Sequence, residues 1–119
     1  MTIQNEAHAE QGWESCYYTA QEEHEFAQEY LKPALRKAGL DDRKILFWDH
    51  NKERVFDRTM ETLAAKEAQD ALDGVAVHWY AGDHFGALDA VHQMYPDKLI
   101  LATEACVGPD KRAYALGEK

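Results

Sequence analysis

With 119 residues, 45% hydrophobic and 29% charged, the chain is long enough for one packed domain and too apolar to be disordered. Its net charge of −9, from 22 acidic residues against 13 Lys and Arg, argues against nucleic acid or an anionic membrane surface as the main partner. Cys16 and Cys106 form neither a disulfide framework nor a CxxC pair and read as free thiols, buried or near a site. No apolar run reaches membrane-spanning length, and the polar, acidic start MTIQNEAHAE does not read as a signal peptide, which leaves the compartment open.

Thr2 and Ile3 open a short extended piece that ends at Gln4-Asn5-Glu6. Thr19-Ala20-Gln21-Glu22 reads as a capping box, with Thr19 as N-cap and Glu22 three residues on. The helix it opens carries Phe26, Tyr30, Ala34, Leu35 and Ala38 on one predicted face. Glu22, Glu23 and Glu25 read as its polar start, favoured by the helix dipole. Pro33 is expected to kink or split the helix and Gly39 to end it.

Ile45-Leu46-Phe47-Trp48 is an apolar strand that gives way to Asp49-His50-Asn51. A helical stretch follows with Val55, Phe56, Met60 and Leu63 on one face, then an alanine-rich stretch up to Asp73-Gly74. Val75-Ala76-Val77 is the next strand and ends at His78-Trp79-Tyr80. A shorter helix carries Leu88, Val91 and Tyr95, and Pro96-Asp97 closes it. Residues 98–108, KLILATEACVG, read as a buried strand that stops at Thr103-Glu104; residues 112–119 look like the start of a helix. Strands alternating with helices predict an α/β fold with a parallel sheet covered on both faces.

Each of the four strands gives way to polar or aromatic residues at its C-terminal end: QNE, WDHN, HWY and TEA. In parallel α/β architectures those ends share one rim. They would bring together Asn5, Glu6, Asp49, His50, His78, Tyr80 and Glu104. Two glutamates on one rim suit glycoside hydrolysis, in which one carboxyl is protonated and one ionised, roughly 5–5.5 Å apart in a retaining enzyme. With 22 acidic residues in the chain, a solvent-facing role for most glutamates stands beside that reading. His78 reads as well as a hydrogen-bonded core histidine, and Trp13 and Trp48 as packing residues. His50, Asp83 and His84 lack the paired spacing of a metal motif, so no metal or other cofactor is expected.

The stretch QNEAHAEQGWESCYYTAQEE resembles the segment around the acid/base glutamate of glycoside hydrolase family 30, which includes glucosylceramidase and related β-glucosidases. WDHNKERVFDR, GVAVHWYAGDHF and YPDKLILATEACVG resemble the next three blocks of that family, in the same order. The resemblance covers nearly the whole chain. It implies part of a (β/α)8 TIM barrel, about strands 4 to 7 with the intervening helices, over residues 1–119. It implies Glu6 as acid/base, Glu104 as nucleophile, Asn5 as partner of the sugar 2-hydroxyl and Tyr80 as the aromatic against the nucleophile. His78 and Trp79 would line the sugar pocket, with His50 and Trp13 in the same substrate-binding set. The family has proline after the Asn-Glu pair, where this chain has Ala7, and that change is expected to loosen the loop that aims Glu6. A complete barrel needs on the order of 250 residues. The implied activity is a retaining β-glycosidase acting on a β-glucoside, glucosylceramide, β-1,6-glucan or β-xyloside. The alternative is a non-catalytic half-barrel that self-associates through exposed strand edges or binds carbohydrate weakly.

Overall fold

Thr19 opens the first helix as the sequence predicts. Its hydroxyl accepts the Glu22 N–H at 3.1 Å, and the Glu22 carboxylate accepts the Thr19 N–H at 2.8 Å. The computed structural model describes residues 1–107; the predicted helix start over 112–119, and Gly108, lie outside them. Helix α1 (Ala20–Phe26) passes through a wider π turn (Ala27–Leu31) into α2 (Lys32–Lys37). Pro33 lacks an N–H and its ring crowds the carbonyl four residues back. The backbone answers by widening in the turn before it, where the Lys32 N–H reaches back to the Ala27 carbonyl. At the far end Gly39, at φ 73°, ends the helix. The Leu40 N–H bonds Leu35 O at 2.8 Å and the Gly39 N–H bonds Arg36 O at 3.1 Å, a Schellman cap.

The buried face of this helix differs from the predicted one. Ala20, Glu23, Ala27 and Leu35 are buried, while Phe26 and Tyr30 stack on each other in solvent, ring centroids 6.2 Å apart. The π turn rotates the stripe, because each residue in it advances through a smaller angle.

Three strands form a parallel sheet in the order β1 (Leu46–Asn51), β2 (Gly74–His78), β3 (Leu99–Glu104). Thr2 makes a parallel bridge to Leu46, which places the N-terminal segment beside β1. A 3-10 turn (Lys52–Arg54) leads into α3 (Val55–Thr62), followed by α4 (Lys66–Ala71) and α5 (Phe85–Met94). Helix α3 packs against α1, α5 and β1. The core gathers Ile45, Phe47, Val55, Leu63, Leu72, Val75, Val77 and Val91. Fully burying side chains of this size contributes about 1.5–3 kcal/mol each. Gly74 opens β2 because the sheet has no room for more: a Cβ there would meet Leu99 O at 2.2 Å.

Every residue of β2 is buried, and so are the first four of β1, as expected of strands covered on both faces. Strand β3 departs from that expectation. Leu99 is 47% and Leu101 51% exposed, so the run read as a buried strand is the open edge of the described sheet.

Both flanking strands slip register against β2 at its C-terminal end. Trp48 pairs with Ala76 and His50 with Val77, which leaves Asp49 as an extra residue. Val77 pairs with Ala102 and His78 with Glu104, which leaves Thr103 extra. A bulge of this kind re-aims the side chains that follow it. Without the second slip, Thr103 would lie beside His78 in place of Glu104.

Candidate active site

The two glutamates singled out in the sequence meet around one imidazole. Glu6 Oε1 lies 3.6 Å and Glu104 Oε2 3.5 Å from Nδ1 of His78. The other ring nitrogen, Nε2, lies 3.0 Å from Asp49 Oδ1. Asp49 also accepts the Thr103 hydroxyl at 2.6 Å through Oδ1 and the Thr2 hydroxyl at 2.7 Å through Oδ2, and its backbone carbonyl accepts the Glu6 N–H at 2.8 Å. One residue thus ties together the N-terminal segment, β1, β2 and β3.

The backbone here is not relaxed. Glu6, Trp48 and Asp49 have φ values of 49°, 74° and 45°, in the left-handed region that side chains other than glycine seldom adopt. Such strain persists only where the surroundings over-determine it. At Glu6 the loop is held by Ala9 N–H to Glu6 O at 2.9 Å and Tyr18 N–H to Ala7 O at 2.8 Å, and the Gln11 amide donates to Oε2. Ala7 itself is completely buried. The loop expected to be loosened by the missing proline is therefore pinned by hydrogen bonds and packing.

At Trp48 the support comes from α1. Its N–H donates to Glu23 Oε1 at 2.9 Å. Glu23 Oε2 in turn accepts from Arg58 Nη2 at 2.7 Å and Nε at 3.3 Å, while Nη2 also reaches Tyr18 O at 2.8 Å. The Arg58 guanidinium lies over the Trp48 indole, 5.2 Å from its centroid. Glu23 has no exposed surface, which corrects its reading as a solvated residue of the first helical turn. Burial pushes its carboxyl up, and the Arg58 guanidinium and the Trp48 N–H oppose that push.

Burial also pushes the Asp49 carboxyl up, but the hydrogen bonds from His78, Thr103 and Thr2 outweigh it and hold Asp49 below its ordinary value. For His78, burial favours the neutral ring, and the Asp49 hydrogen bond and charge, then Glu104 and Glu6, carry its pKa above the ordinary value. An ionised Asp49 only accepts, so Nε2 carries the hydrogen of that bond. The site is electronegative apart from this imidazole.

The other predicted residues fall into two groups. His50 and Tyr80 join the cluster. His50 lies between Trp48 and His78, ring centroids 4.8 and 6.5 Å away, and burial lowers its pKa. Tyr80 stands edge-on to His78 at 5.9 Å, and its hydroxyl accepts the Cys106 N–H at 2.9 Å. Its phenol is pushed up to about 12, by desolvation first, with Glu104 adding to the rise against the Cys106 N–H. Asn5, Trp13 and Trp79 are exposed, Trp13 on the loop after Glu6 and Trp79 with its ring 6.3 Å from Tyr80. Trp48 is a packing residue, 2% exposed. Cys16 and Cys106 are free thiols, both exposed rather than buried.

Thr2, Gln11 and Thr103 had no sequence signal beyond their neighbourhood to the glutamates, and Asp49 was legible only as a rim residue. Among the described residues, the side chains able to approach one cation are Glu6, His50 and His78, with ligand atoms within 4.8 Å of one another. Asp83 and His84 are not part of that group. No helix among the described residues is long and apolar enough to cross a membrane.

Residues 2–117 match the Glycosyl hydrolase family 30 TIM-barrel domain. Lysosomal acid glucosylceramidase of Mus musculus is 30% identical over 94 residues, which cover 76% of this chain and 18% of the relative. Endo-1,6-beta-D-glucanase BGN16.3 of Trichoderma harzianum is 32% identical over 117 residues, 96% of this chain and 23% of the relative. In three dimensions the chain superposes on the crystal structure of SrfJ from Salmonella typhimurium with a TM-score of 0.90 at 38% identity, covering 96% of this chain and 26% of that one. The chain spans about a fifth to a quarter of the length of the proteins it matches.

Proposed function

The chain belongs to glycosyl hydrolase family 30, and on that premise we propose that it forms strands 4 to 7 of a (β/α)8 barrel and carries the catalytic pair of a retaining β-glycosidase. Residues 1–119 are on this reading part of one catalytic barrel. The observation that carries it is the convergence of Glu6 and Glu104 on His78 from segments 98 residues apart in the numbering, each delivered by a strained or bulged backbone.

Glu104 is the nucleophile. It attacks the anomeric carbon and displaces the aglycone oxygen, forming a glycosyl-enzyme ester. Glu6 donates its proton to that leaving oxygen, then takes one from the water that hydrolyses the ester. Tyr80 keeps its proton at neutral pH and stands against Glu104, where a phenol O–H stabilises the carboxylate between turnovers. Asn5, next to Glu6, serves the sugar 2-hydroxyl, and the exposed rings of Trp79 and Trp13 are free to stack on sugar faces. No step needs a metal. The substrate class is a β-glucoside, extending to glucosylceramide or β-1,6-glucan, the substrates named in the relatives' descriptions.

The test is turnover of an aryl β-glucoside by the polypeptide that contains this chain. Glu104→Gln should reduce kcat at least about 10³-fold, as expected on losing a catalytic nucleophile. Glu6→Gln should be rescued by substrates whose leaving group needs no protonation. Near-normal turnover by Glu104→Gln would sink the nucleophile assignment.

The open edge of β3, with Leu99 and Leu101 half in solvent, favours a second reading. As an isolated 119-residue product the chain would pair with another copy along that edge. Gel filtration of the 119-residue product decides it: a discrete dimer supports pairing, a monomer at all concentrations rejects it.

A further inference from the structure

His78 has carboxylates on both of its ring nitrogens, but holds them differently. Nε2 meets one buried carboxylate, Asp49, at 3.0 Å with hydrogen-bond geometry. Nδ1 faces two, Glu6 and Glu104, at 3.6 and 3.5 Å, and has no hydrogen-bond partner although it is fully buried. The groups around the ring are Glu6 from the N-terminal segment, Asp49 and His50 from β1, Tyr80 after β2, and Glu104 from β3. Asp49 is fixed before any substrate arrives, because Thr2 and Thr103 donate to it and its own carbonyl holds the Glu6 N–H.

A neutral histidine carries its hydrogen on the nitrogen that faces the stronger acceptor partner. Here that partner is Asp49, so the neutral ring has a bare Nδ1. We propose, building on the glycosidase reading, that Asp49 is a positioning residue: it holds the Nε2–H of His78 and so sets the ring with Nδ1 facing Glu6 and Glu104, which keeps the two glutamates placed for their separate roles. No bond to His78 is made or broken in the reaction. The two threonines make the same anchor serve both glutamates: Thr2 lies on the segment that carries Glu6, and Thr103 immediately precedes Glu104.

Asp49→Asn is the decisive substitution. Its amide can donate as well as accept, which permits the reversed tautomer with hydrogen on Nδ1, the nitrogen that faces the glutamates. The experiment has two arms on the full polypeptide that contains this chain. Long-range proton–nitrogen NMR of the imidazoles, with His78→Gln to assign the signal, reads the tautomer at a pH where the ring is neutral. Steady-state kinetics on an alkyl β-glucoside, whose leaving group needs protonation, reads kcat and KM separately. The expected result is Nε2–H in the native protein, a shift toward Nδ1–H in Asp49→Asn, and a kcat lowered roughly 10²-fold with KM little changed, the scale of a misplaced catalytic group. Nδ1–H in the native protein overturns the proposal, and so does an unchanged tautomer or an unchanged kcat in Asp49→Asn. If Asp49→Asn does not fold, the native tautomer decides alone. Should the native protein hydrolyse no glycoside, the glycosidase reading falls, while the NMR arm still decides whether Asp49 locks His78.

Discussion

Strands β1 and β3 flank the same central strand and carry the same device, one extra residue just before the site, yet they are supported in different ways. The bulge in β1 is sealed: Trp48 is 2% exposed, its N–H is taken by the buried Glu23, and Arg58 closes the network over its ring. The bulge in β3 hangs on a threonine, which bonds Asp49 and Val77 O, and the strand around it is largely open to solvent. The side chain of Glu6 is correspondingly 11% exposed and that of Glu104 35%. The difference teaches where to look for stability and where for chemistry. Changes behind β1 should unfold the protein, and changes at the end of β3 should leave it folded and alter the site.

The comparison predicts its largest stability loss at Arg58. Replacing it by Met leaves Glu23 buried without its charge partner, and breaking a buried pair in this way costs about 3–5 kcal/mol. Urea denaturation measures it, and Glu23→Leu added to Arg58→Met should recover part of the loss. A change below about 1 kcal/mol would mean that β1 is no better braced than β3. Next comes Gly74→Ala, where the new methyl meets the Leu99 carbonyl. Forcing the strands apart there should cost about 1–3 kcal/mol by the same assay.

A smaller effect should depend on pH. Asp49 titrates below its ordinary value, so its contribution is present above an unfolded value of about 3.9 and fades as pH falls through the folded one. His78 titrates above its ordinary value, so its contribution is complete below about 6.5 and fades as pH rises through the folded one. The stability gap between the native protein and His78→Gln should thus be widest between about pH 4 and 6.5 and narrow on either side. A gap that widens above pH 8 would contradict the assignment. The smallest effect belongs to β3: in the 119-residue chain on its own, Leu101→Lys, at a half-exposed position, should stay within about 0.5 kcal/mol of the unsubstituted chain. A larger loss would show that something covers that face in solution.

Much of this frame was legible in the residues. The capping box at Thr19, the stop at Gly39 and the three apolar strands depend on local chemistry, and the structure holds them. Four strand ends rich in polar residues were enough to draw Glu6, His50, His78, Tyr80 and Glu104 to one rim. What stayed hidden depends on tertiary partners. Nothing in LFWDHN marks Asp49 as a bulge: the left-handed φ at Trp48 falls on a bulky residue with no preference for it, and Asp, although it tolerates that region, adopts it in only a small minority of its occurrences. Glu23 reads as a solvated helix residue until Arg58, 35 residues later, is brought against it. The open face of β3 was hidden by its own composition, since four apolar residues in a row look buried wherever they lie.

The glycosidase reading turns on the bond between a Glu104 carboxylate oxygen and the anomeric carbon, and that bond can be trapped. The polypeptide that contains this chain would be incubated with a 2-deoxy-2-fluoro-β-glucoside bearing a good leaving group, digested and analysed by mass spectrometry. One fluoroglucosyl adduct is expected, on the peptide carrying Glu104 and lost in Glu104→Gln. An adduct on any other residue, or none from a preparation that hydrolyses the parent β-glucoside, would contradict that reading.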